Sequence, residues 1–225
     1  MIMAANAEDG WETASDSGVE LESQTELENA AGADAIVESK PQAKEIGQDV
    51  ESIDEVLQSN PNLKFGFVIY RCCAYDDQEK WDRFMKKLRR RTRLNLRDEN
   101  AEHLYDRIDW CVQEDVELAK CSEAKIRRRF KKWIKESGEQ QYWLPTSRFL
   151  ACVMVDKYDL KSVLTGPSAE EFDAEGDGSV TLISLDKNEG HMSVGMSYLV
   201  PRVYALLESC GWDNFAVGDT DVACP

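Results

Sequence analysis

Histidine is almost missing from this chain: His103 and His191 are the two in 225 residues. No Cys-x-x-Cys pair occurs, and Cys72-Cys73 in an extended run would point to opposite faces. Zinc held by sulfur and imidazole is therefore not expected, and neither is any other metal or cofactor. No Gly-x-Ser-x-Gly elbow occurs, so the commonest serine-hydrolase arrangement is excluded. No Asn-x-Ser/Thr acceptor occurs either. The longest apolar runs, Phe65–Tyr70 and Phe149–Val155, fall far short of the roughly 20 residues a bilayer span needs. No basic residue precedes Lys40 and no apolar core follows the start, so a secretory signal is not expected. Seven scattered cysteines (72, 73, 111, 121, 152, 210, 224) read as reduced thiols rather than a disulfide framework. The expected location is intracellular, in cytoplasm or nucleus.

What is present is acid, unevenly placed. The formal net charge is -16, from 43 acidic and 27 basic side chains. Residues 1–60 hold 15 acids and two bases, Lys40 and Lys44, a net of -13 that leaves -3 for the other 165. That stretch is rich in Ala, Ser, Glu and Gln, with Trp11 its one aromatic, and it reads as a disordered acidic tail. Within it, Val50, Ile53, Val56 and Leu57 suit a short amphipathic turn or two. The domain reading is a tail over 1–60, an α+β domain over 61–215 and a C-terminal extension over 216–225.

Four segments read as strands. Residues 64–72 and 148–155 are apolar and β-branched, 180–185 alternate, and 108–113 form a shorter run. Residues 77–94 carry Trp81, Phe84, Met85 and Leu88 at helical spacing, with Asp76 or Asp77 as the cap. Ser122 opens a second helix striped by Ile126, Phe130, Trp133 and Ile134 and stopped at Ser137-Gly138. A short helix over 156–164 and a closing helix over 198–209 complete the pattern. The expectation is an α+β fold, a sheet of about four strands with amphipathic helices packed on it. Strand, turn and basic helix recur at 64–94 and 108–136, which suggests duplication.

The run Phe65-Gly-Phe-Val-Ile-Tyr-Arg-Cys72, followed by Tyr75, Asp77, Trp81, Phe84 and Met85, resembles the opening of a group of uncharacterised intracellular proteins from filamentous (ascomycete) fungi. Asp109-Trp110, Arg127-Arg128-Arg129-Phe130, Arg148, Asp156 and Pro201-Arg202-Val203-Tyr204 belong to the same resemblance, which spans about residues 64–212. It implies a shared folded body and no active-site residues. Members of that group often close on an aromatic, proline-containing tail; Asn214–Pro225 here departs from that.

Several motifs approach a known chemistry and stop short. Gly190–Ser197 has the spacing of a phosphate-binding loop, but Met196 stands where the lysine is needed. Asp173-Ala-Glu-Gly-Asp-Gly178 starts like a calcium loop, yet its twelfth position is Ser184, so a solvated acidic turn is expected. Cys152 with His191 is a nucleophile and base in name only, since nothing in the spacing joins them. Among polar residues at strand ends, Arg71, Asp109 and Arg148 are the candidates for a pocket.

The strongest remaining signal is cationic. Residues 86–97 and 125–135 each hold seven Lys or Arg, together 14 of 27. The candidate contacts are Lys86, Lys87, Arg90, Arg91 and Arg93 on the first helix, and Arg128, Arg129, Lys131, Lys132 and Lys135 on the second. If both helices share one side of the sheet, their outer faces form a single positive surface suited to a protein or polyanion partner, nucleic acid among them. The first reading is therefore a binding or regulatory module for an anionic partner, with the acidic tail screening the surface until that partner displaces it. The second is a small metal-free enzyme whose pocket encloses Arg71, Asp109 and Arg148.

Overall fold

The computed structural model describes residues 47–139, 146–218 and 220–225. Most of the acidic leader, residues 1–46, lies outside the described residues. Residues 48–59 do not belong with it. They form helix α1 (Gln48–Ser59), which buries Val50, Ile53 and Leu57 in the main core. The folded body therefore starts earlier than the sequence boundary at 61.

The architecture is α+β, built on a mixed sheet of six strands rather than four. They are β1 (Val68–Arg71), β2 (Cys111–Glu114), β3 (Ala151–Val155), β4 (Ser179–Ser184), β5 (His191–Gly195) and β6 (Val222–Ala223). Their order across the sheet is β2-β1-β3-β4-β5-β6. β1 is parallel to both β2 and β3, β4 is antiparallel to β3 and to β5, and β6 is parallel to β5. The two strands unforeseen in the sequence are β5 and β6. β5 is the segment that resembled a phosphate loop, and β6 is part of the supposed extension, where Ala223 is buried.

Besides α1, the helices are α2 (Gln78–Asp98), α3 (Glu123–Ser137) and α5 (Lys157–Thr165), with a short turn of helix α4 (Ser147–Leu150) leading into β3. Asp77 caps α2 by accepting from Lys80 N, and Asp156 caps α5 in a reciprocal box with Asp159. In place of the expected closing helix, the chain makes short irregular turns through Met196–Val203, with Val200 extended, before α6 (Tyr204–Ser209).

Two apolar layers cover the sheet. Because strand side chains alternate, Phe67 and Ile69 face one side of the β1 segment while Val68, Tyr70 and Cys72 face the other. The first side packs against Trp81, Phe84, Met85 and Leu88 of α2, together with α1, α5 and α6. The second packs against Ile126, Phe130 and Ile134 of α3. Thus α2 and α3 lie on opposite faces. The expectation of one shared positive surface is overturned by topology. Parallel crossovers are right-handed, so stepping from β1 out to β2 and back past β1 to β3 carries the two helices over opposite sides.

Candidate anion-binding groove

The cations of α2 divide by what they touch. Lys87 donates to the Val163 and Gly166 carbonyls at the end of α5, and burial pushes its ammonium pKa down. Arg91 is 2% exposed and donates to Asn95 Oδ1 at 2.8 Å and to the Ala169 carbonyl at 3.0 Å, with the Phe172 ring beside it. Both are structural: they tie α2 to the α5 end and to the loop beyond it. They are not free to meet a partner.

Four others point elsewhere. Lys86, Arg89, Arg90 and Arg93 recur every three or four residues, which puts them on one flank of the helix. They form one wall of an open groove of about 1110 Å³, with Trp81 and Met85 also on α2, and Tyr105, Val112 and Gln113 among the other lining residues. β2 supplies the last two of these, and it is an edge strand of the sheet. Arg90 pairs with Glu170 at 3.2 Å, and Arg93 pairs with Glu102 at 2.7 Å while its guanidinium lies 5.2 Å from the Tyr105 ring centre. Both pairs are exposed and worth little, about 0.2–1 kcal/mol each. Lys86 and Arg89 have no hydrogen bond or ion pair among the described residues. Arg89 is in the cation run of the sequence but not among its candidate contacts; only the groove shows that it stands with Lys86. Three acids, Asp82, Glu114 and Glu170, also line the groove.

On the opposite face, Arg129 is held by Glu117 at 2.9 Å and Asp115 at 3.5 Å, and Lys132 by Glu136 at 3.7 Å. Arg128, Lys131 and Lys135 are exposed and have no such partner among the described residues. They form a separate patch. Beside α3, a smaller depression of about 220 Å³ is walled by Tyr70, Trp133, Arg129 and Lys132. The Tyr70 hydroxyl has no hydrogen-bond partner among the described residues, and burial keeps it protonated by pushing its pKa far up.

Of the three pocket candidates, Asp109 and Arg148 meet and Arg71 stands apart from both. Arg71 sits at the carboxyl end of β1, where its guanidinium binds the Cys73 and Ala74 carbonyls, Gln78 Oε1 at 2.8 Å and Glu114 at 3.1 Å. The Tyr75 and Trp81 rings lie 4.9 Å away. Arg148 is fully buried at the other end of the sheet and binds Asp109 Oδ2 at 2.8 Å, Glu139 at 2.9 Å and the Gly66 carbonyl at 3.0 Å. Each arginine is held in its own clamp, so among the described residues Arg71 shares no site with the Asp109–Arg148 pair.

The other motifs resolve in the same way. Asp173 spends its carboxylate on the Gly176, Asp177 and Gly178 amides, closing the acidic turn on itself. Cys152 and His191 both lie opposite Ile183, on either side of β4, which separates them by two strand spacings or about 10 Å. Burial pushes the Cys152 thiol pKa well above its ordinary value. No cluster of three or more metal-binding side chains occurs among the described residues, and no helix there is long and apolar enough to cross a membrane. Compared with family models, with curated proteins and with solved structures, the chain finds no match in any of the three.

Proposed function

We propose that the protein is a binding module that takes an anionic partner along the groove between α2 and the edge strand β2. The observation that carries this reading is the row Lys86, Arg89, Arg90 and Arg93 on one groove wall, two of them without a counter-ion among the described residues. Anchoring of Lys87 and Arg91 in the protein keeps α2 rigid beneath that row, so a partner orders few groups on binding. Trp81 and Tyr105 add flat apolar surface next to the cations. The cations of α3 serve, on this reading, a separate surface and not the same contact.

The test is binding of a fluorescent heparin fragment to the full chain as salt is varied. Four ionic contacts give a logarithmic salt slope of about -3 by the counter-ion release relation for single strands. Lys86→Glu with Arg89→Glu should weaken binding at least about tenfold, a change of 1.4 kcal/mol. Arg128→Glu with Lys131→Glu and Lys135→Glu should leave it unchanged. A slope near zero, or loss only in the α3 variant, refutes the proposal.

A further inference from the structure

A second cavity, of about 550 Å³, opens on the other flank of α2, between it and α5. It lies at the carboxyl ends of β1 and β3, which are neighbouring parallel strands. In open sheets with parallel strands, ligands gather at those ends. Its size falls in the range usual for small-molecule sites.

The lining has a definite chemistry. Four cations contribute, Lys80, Arg83, Lys157 and Lys161, against two acids, Asp76 and Asp77. Asp77 is already spent: it caps α2 and pairs with Lys80 at 2.7 Å. Asp156 likewise caps α5 from its own chain. Neither helix start is therefore left to receive a ligand, and recognition falls to the side chains. The Arg83 and Lys161 side chains have no hydrogen bond or ion pair among the described residues. Leu160 and Leu164 of α5, with Ala74, give the cavity an apolar wall.

That wall is preformed. Ala74 takes the left-handed conformation at φ 56, which a non-glycine residue adopts only when held there. The hold is visible: the Arg71 guanidinium binds the Cys73 and Ala74 carbonyls, and the Tyr75 hydroxyl donates to the Arg71 carbonyl at 2.5 Å and accepts from Asp115 N at 3.1 Å. A positive, rigid and partly apolar cavity is matched by a ligand with one anionic group on a carbon body.

We infer that the cavity between α2 and α5 binds a small organic anion, with Arg83 and Lys161 as its charge contacts and Leu160 and Leu164 against its carbon skeleton. The anionic group is a carboxylate or a phosphate. This site is separate from the groove on the β2 side and does not depend on it.

The experiment titrates full-length, isotopically labelled protein with benzoate, phenyl phosphate and benzyl alcohol, reading amide shifts by NMR. Saturable shifts confined to 73–83 and 157–165 are expected with at least one of the two anions and not with the alcohol; which anion binds identifies the group. Arg83→Ala with Lys161→Ala should raise that Kd at least about tenfold, or 1.4 kcal/mol. Lys86→Ala with Arg89→Ala, in the other groove, should leave it unchanged. The inference is overturned if no saturable shift appears by about 10 mM, a bound near -3 kcal/mol. Equal binding of benzyl alcohol, or equal weakening by both double variants, also overturns it. Should the Arg83/Lys161 variant fail to fold, the three ligands on the unaltered chain still decide.

Discussion

Replacing Arg148 by Met tests whether this buried cation is a clamp or a bystander. The side chain is fully buried and reaches three separate segments, two of them distant in sequence. Its Nε donates to Glu139 Oε2 at 2.9 Å, Nη1 to the carbonyls of Gly66 and Asp109 at 3.0 and 3.2 Å, and Nη2 to Asp109 Oδ2 at 2.8 Å. The guanidinium lies 5.3 Å from the Trp133 ring centre, so the clamp also ties α3 to the amino end of the sheet. Met fills most of the stem volume, which removes the cavity cost from the comparison. Lys64 still stands 2.7 Å from Glu139 and 3.4 Å from Asp109, so both carboxylates keep a cation. The two carbonyls keep nothing in exchange. Breaking a buried charge network costs about 3–5 kcal/mol, and the retained lysine places Arg148→Met at the lower end, near 3 kcal/mol. Arg148→Lys keeps the charge and loses the fork, so it should fall between Met and the unaltered chain. Urea unfolding followed by tryptophan fluorescence measures both. A loss under about 1 kcal/mol for Met, the value of an exposed pair, would refute the reasoning.

Two other perturbations follow from burial. The Glu208 carboxylate accepts from Ser147 N at 3.0 Å, and burial pushes its pKa up from 4.5 to about 6. The folded chain thus binds that proton more tightly than the unfolded one, and stability drains away as pH rises from about 4.5 to 6. At 1.36 kcal/mol per unit the penalty above that window is about 2 kcal/mol, so Glu208→Gln should gain about 1–2 kcal/mol at pH 8 and flatten the slope. Asp159, pushed up to about 7 by burial, adds a slope of the same sign in both proteins; unchanged stability of the Gln variant at pH 8 would refute the assignment. Deleting residues 1–46 should leave the melting temperature nearly unchanged, whereas deleting 1–60 removes Val50, Ile53 and Leu57 from the core at about 1.5–3 kcal/mol each. Circular-dichroism melts compare the two, and equal stability would contradict the packing of α1.

The parts legible in the sequence are those set by short-range pattern. Trp81, Phe84, Met85 and Leu88 announce α2 because a 3.6-residue period needs no partner to be seen. β1 and β3 announce themselves because a strand buried on both faces is apolar throughout. The cap was readable to within one residue, as Asp76 or Asp77, and the structure selects Asp77. β5 was not, because His191-Met-Ser-Val-Gly195 has no strand composition of its own and becomes a strand by lying antiparallel to β4. β6 is two residues long and exists only as an addition to the β5 edge.

By itself, then, the amino-acid sequence determined that the body would be α+β, that two helices would be both amphipathic and basic, and that Arg71, Asp109 and Arg148 would be polar residues near strand ends; these three read as pocket candidates, and only the structure made the two arginines anchors. Tertiary structure alone decided what those charges can do. Whether two cationic helices share a face depends on strand order, and the order β2-β1-β3 with right-handed crossovers sends them to opposite sides. Whether a given cation is available depends on which carbonyls happen to lie within 3 Å, which is why Lys87 and Arg91 are fastened inside while Lys86 and Arg89, on the same helix, face open space. Local pattern fixes the chemistry carried by an element. Only the packing of distant segments fixes where that chemistry points.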